Sequence, residues 1–194
     1  MLCSIATLTL ESFAPYSQSR QHDAPKLEGE SIGDWDKRTW KDKALLNADG
    51  YVVIPAHGFH QCLANAAKYS KRQIPGQGKA TWTKKFEAGI MLLGDITTNA
   101  LLGDNDHVTI SANADGVRGS GKRVPRKFPQ VPTWEAKFEV MILDPIITQD
   151  VFREMVELAG MFIGMGRFRP EKMGTNGRFR IKELQWEDNR KLVA

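Results

Sequence analysis

Sulfur is scarce in this chain: two cysteines, Cys3 and Cys62, among 194 residues. Both sit in apolar surroundings, which excludes a disulfide-stapled scaffold and leaves reduced thiols as the expectation. No apolar run approaches the roughly 18–20 residues that cross a bilayer. The opening residues, MLCSIATLTL, lack a basic n-region and a small-residue cleavage site. A cytoplasmic protein without a membrane partner is therefore expected. Histidines are few, and His57, His60 and Cys62 form an H-x-x-H-x-C run with no second cluster to complete four N/S ligands, so no metal and no cofactor are expected. Acids are missing from long stretches. Gly50 to Phe86 holds six basic residues and no acid, Val117 to Pro132 five and none, and Gly164 to Lys182 six against Glu171 alone. With a net charge of only +4, that distribution implies positive surfaces facing a polyanion.

What is present fits one domain over 1–194, with an apolar share of 41% to build its core. Ser4 to Leu10 alternates as a strand, and Tyr51 to Ile54 is a short β-branched run ending at Pro55. From Gly58 to Tyr69 a helical stripe forms from Phe59, Cys62, Leu63, Ala66 and Ala67. Ala88 to Gly94 and His107 to Ser111 read as short strands. Trp134 to Leu143 alternates with Trp134, Ala136, Phe138, Val140 and Ile142 on one face. A helix capped by Thr148 or Asp150 runs to about Phe162, its stripe being Val151, Met155, Leu158, Ala159 and Phe162. Phe179 to Trp186 closes the chain as a strand. The order predicts an α+β fold, a ferredoxin-like or RNA-recognition-motif-like βαββαβ core on an antiparallel sheet. Large insertions fall at about 11–50, 70–87 and 112–133, and few residues of the last are expected to enter a core.

The residues from Gly160 to Arg180 combine Gly164, Gly166, Gly174 and Gly177 with Arg167, Arg169, Arg178 and Arg180. Glycine admits close backbone approach and exposes bare amides, and arginine offers a planar fork to phosphate. A helix before the loop and a strand after it would hold it firmly, so it is predicted to clamp a nucleic-acid backbone, with Lys172 in support. Arg178 and Arg180 would share one strand face. Arg118, Lys122, Arg123, Arg126 and Lys127 form a second basic group in the 112–133 insertion. Gly164-Met165-Gly166 follows a helix rather than a strand and lacks a third glycine, so it is not a dinucleotide fingerprint, and Gly121-Lys122-Arg123 lacks P-loop spacing. Trp35, Trp40 and Trp82 are available for stacking on bases or for the core.

Val53-Ile54-Pro55 leading into the Gly58–Tyr69 helix resembles the approach to the first helix in the RAMP superfamily, the repeat-associated proteins of CRISPR systems. Ile163-Gly164-Met165-Gly166-Arg167 through Gly174-Thr175-Asn176-Gly177-Arg178-Phe179 resembles that superfamily's glycine-rich loop near the carboxyl end. The basic insert at Arg118 to Lys127 falls where its backbone subunits carry a thumb. Ala56-His57-Gly58-Phe59-His60 departs from the usual small and serine residues, and no basic residue follows on that helix before Lys68. The resemblance implies a CRISPR-associated protein, a phage or plasmid being one source, that binds RNA or single-stranded DNA without reading bases. It also implies a homo-oligomer or filament along the strand, with other effector subunits as partners. The expected protein is not an enzyme. Two alternatives stand beside it: an endoribonuclease using His57, His60 or Asp36, and a phage-encoded mimic inhibiting a host effector complex.

Overall fold

The computed structural model describes residues 2–114, 119 and 121–191. In chain order the elements are β1 (Leu2–Ser12), β2 (Tyr16–Ser17), α1 (Ile32–Thr39), β3 (Tyr51–Ile54), α2 (Ala56–Ser70), α3 (Thr83–Ala88), β4 (Ile90–Leu92), β5 (Ile96–Leu101), β6 (His107–Asn113), β7 (Arg123–Val131), β8 (Glu135–Ile142), α4 (Gln149–Leu158) and β9 (Phe179–Lys191). The main sheet is antiparallel with order β4-β8-β1-β9. With α2 and α4 packed together on the side of that sheet, this is the ferredoxin-like order expected from the sequence.

Alternation sets the faces. Ala6, Leu8 and Leu10 pair with Val140, Phe138 and Ala136 and point toward the helices. The α2 stripe predicted from periodicity is the stripe observed, with Phe59, Cys62, Leu63, Ala66 and Ala67 all buried. Phe59 is fully buried and meets Phe138 edge-on at 5.0 Å and Phe179 at 6.1 Å. Thr148 caps α4, its Oγ1 accepting from the Val151 amide. The helix gives way at Leu158 to a π turn over Ala159–Ile163. The stripe differs from the expected one both before that point, where Val151 and Leu158 are only partly buried, and after it. Phe152, Met155, Val156 and Ala159 are the buried residues, while Phe162 lies half exposed and stacks on Tyr69. For Phe162 the cause is the π turn, whose extra residue takes it out of the helical period.

The opposite sheet face is uncovered by helices and does not suit a polyanion. Register places Glu11, Glu135, Glu139, Glu183 and Glu187 there with Lys137 and Arg180, and Lys182 reaches Glu135 at 2.5 Å.

The described residues of the 112–133 insertion are more regular than its composition suggests. Within it β7 pairs with β6 from Arg123 to Pro129, and Phe128 and Val131 are buried. Prolines 125 and 129 are compatible with a strand because of where their missing donors point. The Lys127 amide, on the same edge, faces away from β6 and donates to Asp36 at 2.6 Å. Both prolines therefore point their missing donors away from β6, so no bond of the β6 ladder is lost. Pro125 lies beyond the end of β2 and Pro129 beside it, where the Pro129 carbonyl accepts from the Gln18 amide at 3.2 Å.

Candidate nucleic-acid interface

The glycine-arginine loop leaves the π turn at Gly164 and wraps back over the start of β9. Its path is fixed by backbone bonds: Met165 N to Gly177 O at 3.0 Å, Arg167 N to Ser17 O at 2.8 Å, Asn176 N to Phe168 O at 2.9 Å and Gly177 N to Pro15 O at 2.7 Å. Glycine is required where these strands of loop touch. Gly166 and Gly177 have φ near +74° and +73°, and a Cβ would strike the Ser17 carbonyl at the first and the Met165 carbonyl at the second.

The amides of Gly164, Gly174 and Gly177 donate to Ala159, Arg169 and Pro15 carbonyls, so they are not the bare phosphate donors expected from composition. A loop packed this tightly must satisfy its own polar groups. Cation chemistry is then left to the side chains. Arg169 Nε bonds Glu171 Oε2 at 2.9 Å, and Asn65 Nδ2 takes the other carboxylate oxygen at 2.9 Å, pinning the turn Pro170–Lys172 to α2. Lys172 is exposed. Arg178 precedes β9 and does not share a strand face with Arg180. Its Nε and one terminal nitrogen reach the Met161 and Thr175 carbonyls at 3.1 Å each. Arg180 lies on the acidic sheet face, bonded to Glu11 at 2.6 Å. A cleft of about 50 Å³ opens between α2 and the loop, lined by Gly58, Asn65, Gly164, Gly166 and Arg169 among others.

Arg167 connects the two basic segments. Its guanidinium lies 3.6 Å above the Phe128 ring and 4.8 Å from that of Phe168, and its buried Nε has no hydrogen-bond partner among the described residues. Lys43 Nζ sits 4.6 Å from the same Phe128 ring. Beneath them Asp36, 1% exposed, accepts from Lys43 Nζ at 2.5 Å, Arg126 Nε at 3.0 Å and the Lys127 amide. Lys43 also donates to the Lys127 carbonyl at 2.7 Å. Burial pushes the Asp36 carboxyl up, but the bonds from Lys43, Lys127 and Arg126 more than reverse this and hold it below the usual carboxylate value. Burial lowers Lys43, against the pull of Asp36. Arg167 is lowered by burial and by nearby Arg126. Lys43 and Arg126 thus share one carboxylate while Arg167 stands beside them, leaving the junction net positive.

Other expected residues fall outside this junction. Arg118 lies outside the described residues. Lys122 and Arg123 are exposed near the far end of the β6–β7 hairpin, Arg123 donating to the Ser111 carbonyl at 2.5 Å. His57 and His60 lie in the first turn of α2, His57 exposed and His60 partly so. Trp40 and Trp82 are buried, whereas Trp35 is only partly so. The sequence reading missed Lys43 and Phe128. The signal available for Phe128 was its place in a Val124–Arg126–Phe128 alternation, obscured by flanking prolines.

No family model matches the sequence, and no curated protein matches it either. Solved structures do. A chain in the cryo-EM structure of the Type III-B Cmr-beta bound to cognate target RNA aligns over 96% of this chain and 61% of its own, at 11% identity and a TM-score of 0.53. The fold is that of RAMP-type CRISPR subunits. Cmr6 from Pyrococcus furiosus aligns over 93% of this chain and 100% of its own, at 12% identity and a TM-score of 0.47. This chain spans about three fifths of the length of the Cmr-beta chain it matches. Among the described residues no helix is long and apolar enough to cross a membrane.

Proposed function

We propose that this protein is a CRISPR-associated, sequence-independent binder of single-stranded nucleic acid, RNA in the first instance, acting as a repeating backbone subunit of a ribonucleoprotein. The observation that carries this is that Arg167, which lies over Phe128, meets Arg126 and so joins the glycine loop to the basic hairpin in one positive junction. Arg178, Lys172 and Arg169 extend it along the loop, and Lys122, Arg123 and Lys127 extend it along the hairpin. The RAMP-type fold, and the target RNA in the Cmr-beta structure, support RNA as the strand. Guanidinium and ammonium groups hold phosphates by charge and carry no base information.

Fluorescence anisotropy with labelled oligouridine, oligoadenosine and mixed RNA at several salt concentrations tests this. R167A and R178A should weaken all three alike and reduce the salt slope by about one phosphate each. A loss confined to one sequence would refute it. Size-exclusion of material with and without nuclease treatment reports the repeating assembly, which should shorten when RNA is removed. The endoribonuclease alternative gains nothing from Asp36, whose two oxygens are engaged in structural bonds. A protein-contact mimic would show weak RNA affinity in the same titrations and co-purify with effector subunits.

A further inference from the structure

Arg126 also lines a second cavity, formed with the segment after β2. It holds about 300 Å³ and is walled by Arg20, His22, Trp35, Lys43 and Arg126, with Ser19 and Gln21 completing it. That volume is in the range of small-ligand sites. Three cations and no acid line it. Asp36 offsets Lys43 and Arg126 from below, but Arg20 makes no ion pair among the described residues, and its backbone is anchored through its amide to the Lys43 carbonyl at 2.9 Å. The other wall is aromatic. His22 and Trp35 stack with centroids 5.0 Å apart and planes 20° from parallel, and the Trp35 indole N–H is fixed by the Ala24 carbonyl at 3.0 Å. His22 Nδ1 is buried and lacks a hydrogen-bond partner among the described residues, an unusual state for a buried polar atom.

We propose that this cavity is a subsite for one unpaired nucleotide. The base lies against the Trp35–His22 wall, and the phosphate sits between Arg20 and Arg126. A bare anion would use the cations and leave the aromatic wall idle. A nucleotide uses both, since every base has a face to stack and every phosphate an edge for guanidinium. The proposal extends the single-strand reading and rests on it only for the nucleotide's source, a strand rather than a free metabolite.

Isothermal titration of the full chain with AMP, adenosine and inorganic phosphate decides it. AMP should bind about tenfold tighter than either fragment, because phosphate and base contacts are made together. Arg20→Glu should weaken AMP by about tenfold or more while leaving adenosine unchanged, and Trp35→Leu should weaken AMP and adenosine alike. Lys182→Ala, on the far sheet face, is the control. The exposed Arg20 carries the test by itself should Trp35→Leu fail to fold. AMP binding no tighter than phosphate, or binding indifferent to Arg20→Glu, overturns the proposal. Oligouridine titrated in parallel separates the two readings. If RNA binds and AMP does not, the backbone grip stands and the subsite falls. If AMP binds as expected and RNA does not, the subsite stands and the strand as its source falls.

Discussion

Replacing Asp36 by Asn should cost more stability than any other change near the interface. The carboxylate is 1% exposed and receives three hydrogen bonds, from Lys43 Nζ, Arg126 Nε and the Lys127 amide. An amide of the same shape keeps one acceptor oxygen but removes the charge, leaving Lys43, 3% exposed, and Arg126, 19% exposed, facing each other unneutralised. Breaking a buried pair in this way costs about 3–5 kcal/mol. For a chain of this length that lowers Tm by about 6–20 °C. Circular-dichroism melts of D36N against the parent at pH 7 read the effect. A fall of under about 3 °C would refute the account of Asp36 as the tie between α1, the Trp40–Lys43 turn and β7. Replacing all three charges together, D36L with K43M and R126M, should recover part of the loss, since no unpaired charge then remains buried there and only the Lys127 amide is left without its acceptor. The pH dependence has a defined sign. Asp36 is held below its unfolded value of about 3.9, so its contribution is complete above about pH 4 and fades as pH falls through the lower folded value. The gap between parent and D36N should therefore close on acidification below pH 4.

The loop and the helices supply further tests. Gly177→Ala forces a Cβ against the Met165 carbonyl at φ +73° and should destabilise by about 1–3 kcal/mol. Gly58→Ala, helical with nothing within 4 Å of its Cβ, should stabilise by about 0.5–1 kcal/mol; urea titration of both checks the contrast. Thr148→Ala removes the cap of α4 and should cost about 1 kcal/mol in the same assay. Glu171→Gln releases Arg169 and removes the loop's one acid. It should tighten RNA binding and steepen the salt slope by about one phosphate; unchanged anisotropy would show that Arg169 does not face the strand.

Local periodicity determined most of the frame. The α2 stripe, the β8 alternation, the Thr148 cap and the β-α-β-β-α-β order are set by residues within a few positions of one another, and such signals survive in a bare sequence. So is the placement of the glycine loop between a helix end and a strand. What lay beyond reach depended on contacts far apart in the chain. That Asp36 neutralises Lys43 and Arg126, 90 residues away in the second case, decides that it is a structural tie, and composition cannot say which cation a carboxylate will meet. The glycine amides turned out to be consumed by Ala159, Arg169 and Pro15 because close packing has to satisfy its own donors. The prolines of β7 hid a strand, because only the sheet shows that their missing donors point away from β6. Charge counts along the chain promised a positive surface. Folding alone decided that it lies where Arg167, over Phe128, meets Arg126, and that the uncovered sheet face is acidic.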